Sequence, residues 1–366
     1  MGSPTPNYLL LFDLFPEPDA QKHEVGQYHE PRDKTNRPRA SHHGSVSITH
    51  HNSSMIPYYC MRRFVIVFIA VAAASAIGLI ATVPRIALYS PALLLAGTQS
   101  KYTLPSLYQE QKRPIRVLIV PGHDEESVGA VYRGLRETDL TVTLGEELVA
   151  LFARDTHFAP MITRTNNGYT DTFAALFENN RESVKSFQDY VKYYAQLFLW
   201  HKMIIPRKTV DHATARPEQA LKLYGINWWV NGNSVDLALH IHFNDYPRRD
   251  RNKPGEYYGY AIYYPERQLP NHYASKPIAQ ALHRRLRNIL MPSTYPQESG
   301  GLVESQELIA LGANGSLDSA ALLIEYSYIY EPWLQDAETR ERMIKKLALE
   351  TYQGIVEYLA TANQKN

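Results

Sequence analysis

Val117-Leu-Ile-Val-Pro-Gly-His-Asp124 is the stretch from which the fold can be read. Ile115 to Val120 is short, nearly all apolar and rich in β-branched residues, the pattern of a strand buried on both faces in a parallel or mixed sheet. Pro121 has no N–H for a ladder and Gly122 permits a sharp turn, so the strand stops there. His123 is thereby delivered to the carboxyl edge of the sheet, where open α/β folds place their chemistry. A helix is predicted from about Glu137, with Leu140, Leu144, Leu148 and Leu151 at helical spacing. A His at a strand end and a Glu at the next helix start can meet at one point. Their imidazole nitrogen and carboxylate oxygen suit a zinc ion, although a satisfied loop histidine reads the same way.

The composition is that of one large domain with appendages: 366 residues, 44% hydrophobic, 20% charged, formal net charge +1. No basic stripe or reading motif points to nucleic acid. Cys60 is the single cysteine, which excludes an internal disulfide and a thiolate zinc cluster. Any metal is left to His and carboxylates. Most of the 26 Tyr residues fall in the second half, as packing or as a polar, sugar-facing surface.

Residues 1–60 are rich in Pro, His, Ser, Asn and charge and read as a disordered extension, or as sequence ahead of a true start at Met55 or Met61. The pairs His42-His43 and His50-His51 read as surface histidines rather than a metal site. Within 61–83, Phe64 to Val83 carries no charge over about twenty residues, long enough to cross a bilayer. Arg62 and Arg63 precede it, which puts that end in the cytoplasm and the rest of the chain outside. The run reads as an uncleaved signal anchor, with a cleaved, secreted form as the alternative because Ala72 to Ala76 offers cleavage sites. Residues 84–113 form a connector.

The domain proper is expected over 114–362, as α/β: a mixed, mostly parallel sheet flanked by helices in a sandwich. Ala159 to Thr165 reads as a second strand. A helical insertion fills about 171–224, with an aromatic helix at Ser183 to His201. Val235 to Asn244 alternates, placing Leu237, Leu239, Ile241 and Phe243 on one face and Ala238, His240, His242 and Asn244 on the other. Tyr257 to Tyr264 is a further strand. Ser275 reads as the N-cap of a helix with Pro277 in its first turn. Ala320 to Ile324 is a last buried strand ending at Glu325. A closing helix covers Asp336 to Leu359, with Met343, Leu347 and Ile355 inward.

Four polar groups then stand at strand ends or on the helix between: His123, Glu137, His242 and Glu325. Two His and one Glu are a known catalytic zinc set with room for water, and a further carboxylate can take the water's proton and hand it to a leaving amine. Ile119-Val-Pro-Gly-His123, Arg136-Glu-Thr-Asp-Leu140, His240-Ile-His-Phe-Asn244 and Leu322-Leu-Ile-Glu-Tyr326, in that order, resemble the motifs of the zinc-dependent N-acetylmuramoyl-L-alanine amidases of the type 3 family. Thr163-Arg164 and Ala274-Ser-Lys276 are similar to two further family positions. The resemblance covers about 114–360. It implies a sandwich of zinc-exopeptidase type, Zn2+ held by His123, Glu137 and His242, catalysis by Glu325, and Asn244, Arg164 and His240 near the substrate. The implied substrate is the amide between N-acetylmuramic acid and L-Ala of peptidoglycan, which agrees with export.

Three departures from the family pattern stand out. Asp124-Glu125 replaces the usual glycines and adds negative charge beside the metal. His240 replaces the usual Ser on the face of His242, so either ring could be the ligand. The segment between Glu137 and His242 is long, which reads as an extra helical layer or as a lid. An inactive wall-binding or regulatory module on the same fold, or a zinc amidohydrolase with another substrate, are the competing functions.

Overall fold

A computed structural model describes residues 103–362, except 213, 247, 249, 313, 314, 317 and 318. The expectations for 1–60, for the span within 61–83 and for most of the connector fall outside these residues. Among the described residues no helix is long and apolar enough to cross a membrane.

Thr103 caps the short helix α1 (Leu104–Glu110), its hydroxyl accepting from the Ser106 N–H. The chain then enters β1 (Ile115–Pro121), buried at every residue but Arg116. A small hairpin of β2 (Val131–Tyr132) and β3 (Leu135–Arg136) leads into α2 (Glu137–Ala153). Next come β4 (Phe158–Ile162) and a second hairpin, β5 (Arg164–Thr165) with β6 (Gly168–Tyr169). The expected strand over 159–165 is thus broken at Thr163, where the chain leaves the sheet.

The insertion holds α3 (Asp171–Asn179), α4 (Arg181–Trp200) and α5 (Pro217–Gly232). It is followed by β7 (Leu237–Asn244), β8 (Ala261–Pro265), α6 (His272–Leu286), β9 (Leu302–Ser305), β10 (Ala320–Tyr328), the single turn α7 (Pro332–Gln335) and α8 (Ala337–Thr361). The six-stranded sheet has the order β4-β1-β7-β10-β8-β9. β4, β1, β7 and β10 are mutually parallel, while β8 runs antiparallel to β10 and carries β9 parallel to itself.

The alternation in β7 sorts the two layers as expected. Leu237, Leu239, Ile241 and Phe243 join Val117, Ile119, Leu322 and Ile324 in the core under α2, α6 and α8. Leu140, Leu144 and Leu148 of α2 are fully buried there, each contributing about 1.5–3 kcal/mol relative to exposure. On the other face, Leu118 and Val120 pack against Phe173, Val184, Phe187, Val191 and Tyr224 of α3–α5. The insertion is therefore a helical layer on the sheet.

Two local expectations are corrected. Helix α6 starts at His272, not Ser275; Ser275 is fully buried, its Oγ donating to the Asn271 carbonyl and accepting from the Ala321 N–H, so it ties the helix to β10. In α8, Ile344 rather than Met343 is buried alongside Leu347 and Ile355, while Asp336 caps the helix by accepting from the Thr339 N–H.

Candidate metal centre

The strand-stopping pair Pro121-Gly122 sets His123 in the left-handed region, φ +66°, a conformation costly for a residue with a Cβ and found where a site dictates it. Gly122 is required by contact: a Cβ there would lie 2.3 Å from the His242 ring. Gly129 has φ +73°, and its Cβ would stand 2.4 Å from Glu137 Oε2. Both glycines keep room around the same three side chains.

Glu137 is the first residue of α2, where the helix dipole favours a carboxylate. The Ala130 N–H donates to its Oε2 (2.9 Å) and the Phe243 N–H to its Oε1 (3.0 Å). His242 Nδ1 lies 3.0 Å from Oε1 and His123 Nε2 3.1 Å from Oε2. The structure thus brings His123, Glu137 and His242 together, with one ligand atom from each within 4.8 Å of the others. Burial works against the charged Glu137, but the His123 and His242 rings outweigh it and hold the carboxyl well below the usual range. Burial pushes the His242 imidazole down, against the opposing pull of Glu137. A neutral imidazole and an ionised carboxylate are the forms that bind a metal.

Glu325 is paired in register with His242. It is 4% exposed, and its Oε2 has no hydrogen-bond partner. Burial raises its pKa well above the usual value, and the neighbouring Glu137 and Glu298 add to this. β10 does not end at Glu325 as expected but continues to Tyr328, with a shift in register after Glu325.

The three remaining expected residues stand around this cluster. His240 sits between Val120 and Leu323 in register, 2% exposed, with burial lowering its pKa to about 3 and no partner on Nε2. It does not join the three potential ligands. Arg164 donates from Nη2 to the Gly122 carbonyl (2.6 Å), the Thr138 carbonyl (3.0 Å) and Thr141 Oγ1 (3.0 Å), so it clamps the loop that carries His123 to α2. Asn244 donates to Glu298 Oε1 at 3.0 Å.

Glu298 is the residue that sequence reasoning missed. It is 2% exposed and also accepts from Ser293 Oγ (2.6 Å), Tyr328 OH (3.0 Å) and Tyr263 OH. No periodicity marks it, because its donors come from four separate places in the chain.

The added charge expected from Asp124-Glu125 is compensated. Asp124 accepts from Lys222 Nζ (2.7 Å) and Tyr169 OH (3.0 Å), and Glu125 pairs with Arg136 (2.9 Å). Burial alone would raise the Asp124 pKa; Lys222 turns the shift downward. Lys222 belongs to α5, so the insertion supplies the balancing charge. A cleft of about 370 Å³ beside this loop is lined by Asp124, Arg136, Thr138, Arg164, Tyr169 and Lys222, among others.

Comparison with known proteins bears on what this arrangement does. The family model described as N-acetylmuramoyl-L-alanine amidase matches residues 117–357. No curated protein matches the chain. Similar solved structures include an N-acetylmuramoyl-L-alanine amidase from Clostridium difficile 630, at 16% identity and TM-score 0.41, covering 69% of this chain and 99% of that one. The apo amidase Ami1 from Mycobacterium abscessus is 16% identical, with TM-score 0.43 and coverages of 67% and 98%. The CwlD amidase from Clostridioides difficile, solved in complex with the GerS lipoprotein, is 17% identical, with TM-score 0.43 and coverages of 68% and 99%. At these values the structural likeness adds no weight to the family match.

Proposed function

The chain belongs to the N-acetylmuramoyl-L-alanine amidase family, and on that premise we propose that it is a zinc-dependent, exported enzyme cleaving the amide between N-acetylmuramic acid and L-Ala in peptidoglycan. His123, Glu137 and His242 hold the metal in this reading, and Glu325 is the acid–base group. The carrying observation is the convergence of three ligand atoms within 4.8 Å next to a buried, partnerless carboxylate oxygen.

The donor set suits zinc: one carboxylate and two imidazoles leave a position open for chemistry. His123 Nε2 lies close to Glu137 yet makes no hydrogen bond, as expected of an atom awaiting another partner. When bound, the ion supplies a Lewis acid that polarises the scissile carbonyl and eases deprotonation of water.

The chain's own residues do the rest. Glu325 takes the proton of the attacking water and returns it to the departing alanine amine, which leaves only once protonated. Burial, with Glu137 and Glu298 nearby, raises the Glu325 pKa, and a bound cation close to it would favour the ionised form that accepts a proton. Asn244, Arg164 and His240 lie near the substrate in this reading, with Glu298 accepting from the Asn244 amide. The run at 64–83 anchors the enzyme, with the catalytic domain outside the membrane.

The test is mass analysis of products from purified muropeptides together with metal content. Release of intact stem peptides beginning with L-Ala, by protein holding one zinc per chain, is expected. Cleavage within the stem peptide instead would place the protein's activity on another amide.

A further inference from the structure

Trp200, Met203, Ile205 and Tyr273 are 82%, 52%, 61% and 79% exposed, four of the nine large hydrophobic residues exposed among those described. Contacts tie Ile205 and Tyr273 to one edge of the sheet, and Trp200 and Met203 precede Ile205 by five residues and two. The Ile205 N–H donates to Gln268 Oε1 (2.9 Å), and its carbonyl accepts from Gln268 Nε2 (3.0 Å) and Gln306 Nε2 (3.2 Å). Gln268 and Gln306 closely follow the ends of β8 and β9, which run opposite to β1, β7 and β10. Those ends therefore lie at the amino edge of the parallel strands. Helix α6 starts there too, with His272 Nδ1 2.8 Å from the Pro265 carbonyl, which places Tyr273. His123, His242 and Glu325 stand towards the opposite, carboxyl edge.

Charge accompanies the apolar side chains. From Tyr190 to Val210 there is no Asp or Glu, while Lys192, Lys202, Arg207 and Lys208 fall inside that stretch. The nearby Glu266 is 1% exposed and lies 3.5 Å from Arg207 and 3.6 Å from Arg267, so this acid is hidden beneath its cations. Lys208 is paired with the exposed Asp211 at 2.8 Å, which leaves Lys202 and Arg207 as the outward charge. Exposed Trp and Tyr rimmed by basic groups are the composition of a membrane interface. The chain also arrives at β1 on this edge. Thr103 follows the uncharged run ending at Val83 by twenty residues, a tether of at most about 70 Å.

We propose that this edge is a docking surface for an anionic lipid bilayer, with Trp200, Met203, Ile205 and Tyr273 in the headgroup layer and the metal cluster facing away from the membrane. The assignment is independent of the amidase reading. An enzyme held this way presents its site outward at a set height.

The experiment reads tryptophan fluorescence of the full chain reconstituted in vesicles containing phosphatidylglycerol, with and without acyl-brominated lipid. All four Trp residues, 200, 228, 229 and 333, lie in the folded domain and none in residues 1–102. Quenching thus reports the domain, while flotation reports the 64–83 run. Bromolipid should quench the wild-type protein, and Trp200→Phe, a change at an exposed position, should lose most of that quenching while floating unchanged. Lys202→Glu and Arg207→Glu together should weaken the quenching, by about fivefold in lipid partitioning per charge. Flotation without quenching, or quenching unaltered in Trp200→Phe, overturns the proposal and leaves the anchor standing. Crosslinking of Trp200 faces between two copies in detergent would assign the edge to self-association and overturn it as well.

Discussion

The two helical layers serve the sheet differently. The α2, α6 and α8 layer buries aliphatic stripes and, at the first residue of α2, delivers Glu137 to the strand ends. The α3–α5 layer buries an equally apolar face yet contributes none of the three potential ligands. What it contributes is Lys222 against Asp124 beside the site, and a helix whose last eleven residues, Tyr190 to Trp200, are apolar or aromatic except Lys192 and Gln196. One layer builds chemistry; the other adjusts charge and surface around it.

The largest effect that tests this division is at the strand ends. His242→Ala should abolish stoichiometric zinc binding and hydrolysis, whereas His240→Ala should retain the metal, because of these two rings it is His242 that meets Glu137. Metal analysis of both variants decides it, and the reverse order would move His240 into the ligand set. Next comes Glu325→Gln, which keeps shape but cannot accept a proton. Turnover should fall by about 10²–10⁴-fold with zinc content unchanged. In the metal-free protein the same change should stabilise the fold at neutral pH. A buried carboxyl with a raised pKa contributes fully below its unfolded pKa and loses that contribution as pH rises, a loss Gln avoids. Near-normal turnover would remove Glu325 from the mechanism.

A smaller effect probes the second layer. Phe187 is 3% exposed between α4 and the sheet, and Phe187→Ala should cost about 3–5 kcal/mol of stability. Zinc affinity, measured at a temperature where the variant is folded, should stay at the wild-type value. Loss of zinc from folded variant protein would mean that the second layer also holds the site.

Much of this arrangement is legible in the sequence where a rule is local. Pro121-Gly122 stops β1, the alternation in β7 separates the core face from His240 and His242, and the leucine spacing fixes the inward side of α2. Legibility ends where contacts join distant segments. Asn244, Tyr263, Ser293 and Tyr328 meet at Glu298 without any shared pattern. Ser275 carries an N-cap signature but spends its hydroxyl on Asn271 and β10, because the helix had already begun at His272. Asp124 suggests added negative charge until Lys222, 98 residues later, is found against it.

The smallest effect tests the first layer away from the chemistry. Asp155, just beyond α2, accepts from the His157 N–H (3.0 Å) and Tyr352 OH of α8 (2.9 Å), and lies 2.6 Å from His157 Nδ1. Burial opposes its ionisation, but the His157 and Tyr352 bonds win and lower its pKa. A depressed carboxyl contributes stability above its unfolded pKa, about 3.9, and loses it as pH falls through the folded value. Asp155→Asn removes a charged acceptor and should cost about 1–2 kcal/mol at pH 7, or about 2–8 °C in melting temperature. The gap between wild type and variant should narrow steadily as pH falls below about 4. Turnover at 25 °C should not change, since no atom of this network reaches the cluster of His123, Glu137 and His242. A gap that persists undiminished in acid would show that Asp155 acts by packing rather than by charge, and an altered turnover would break the separation between the edge that stabilises and the edge that reacts.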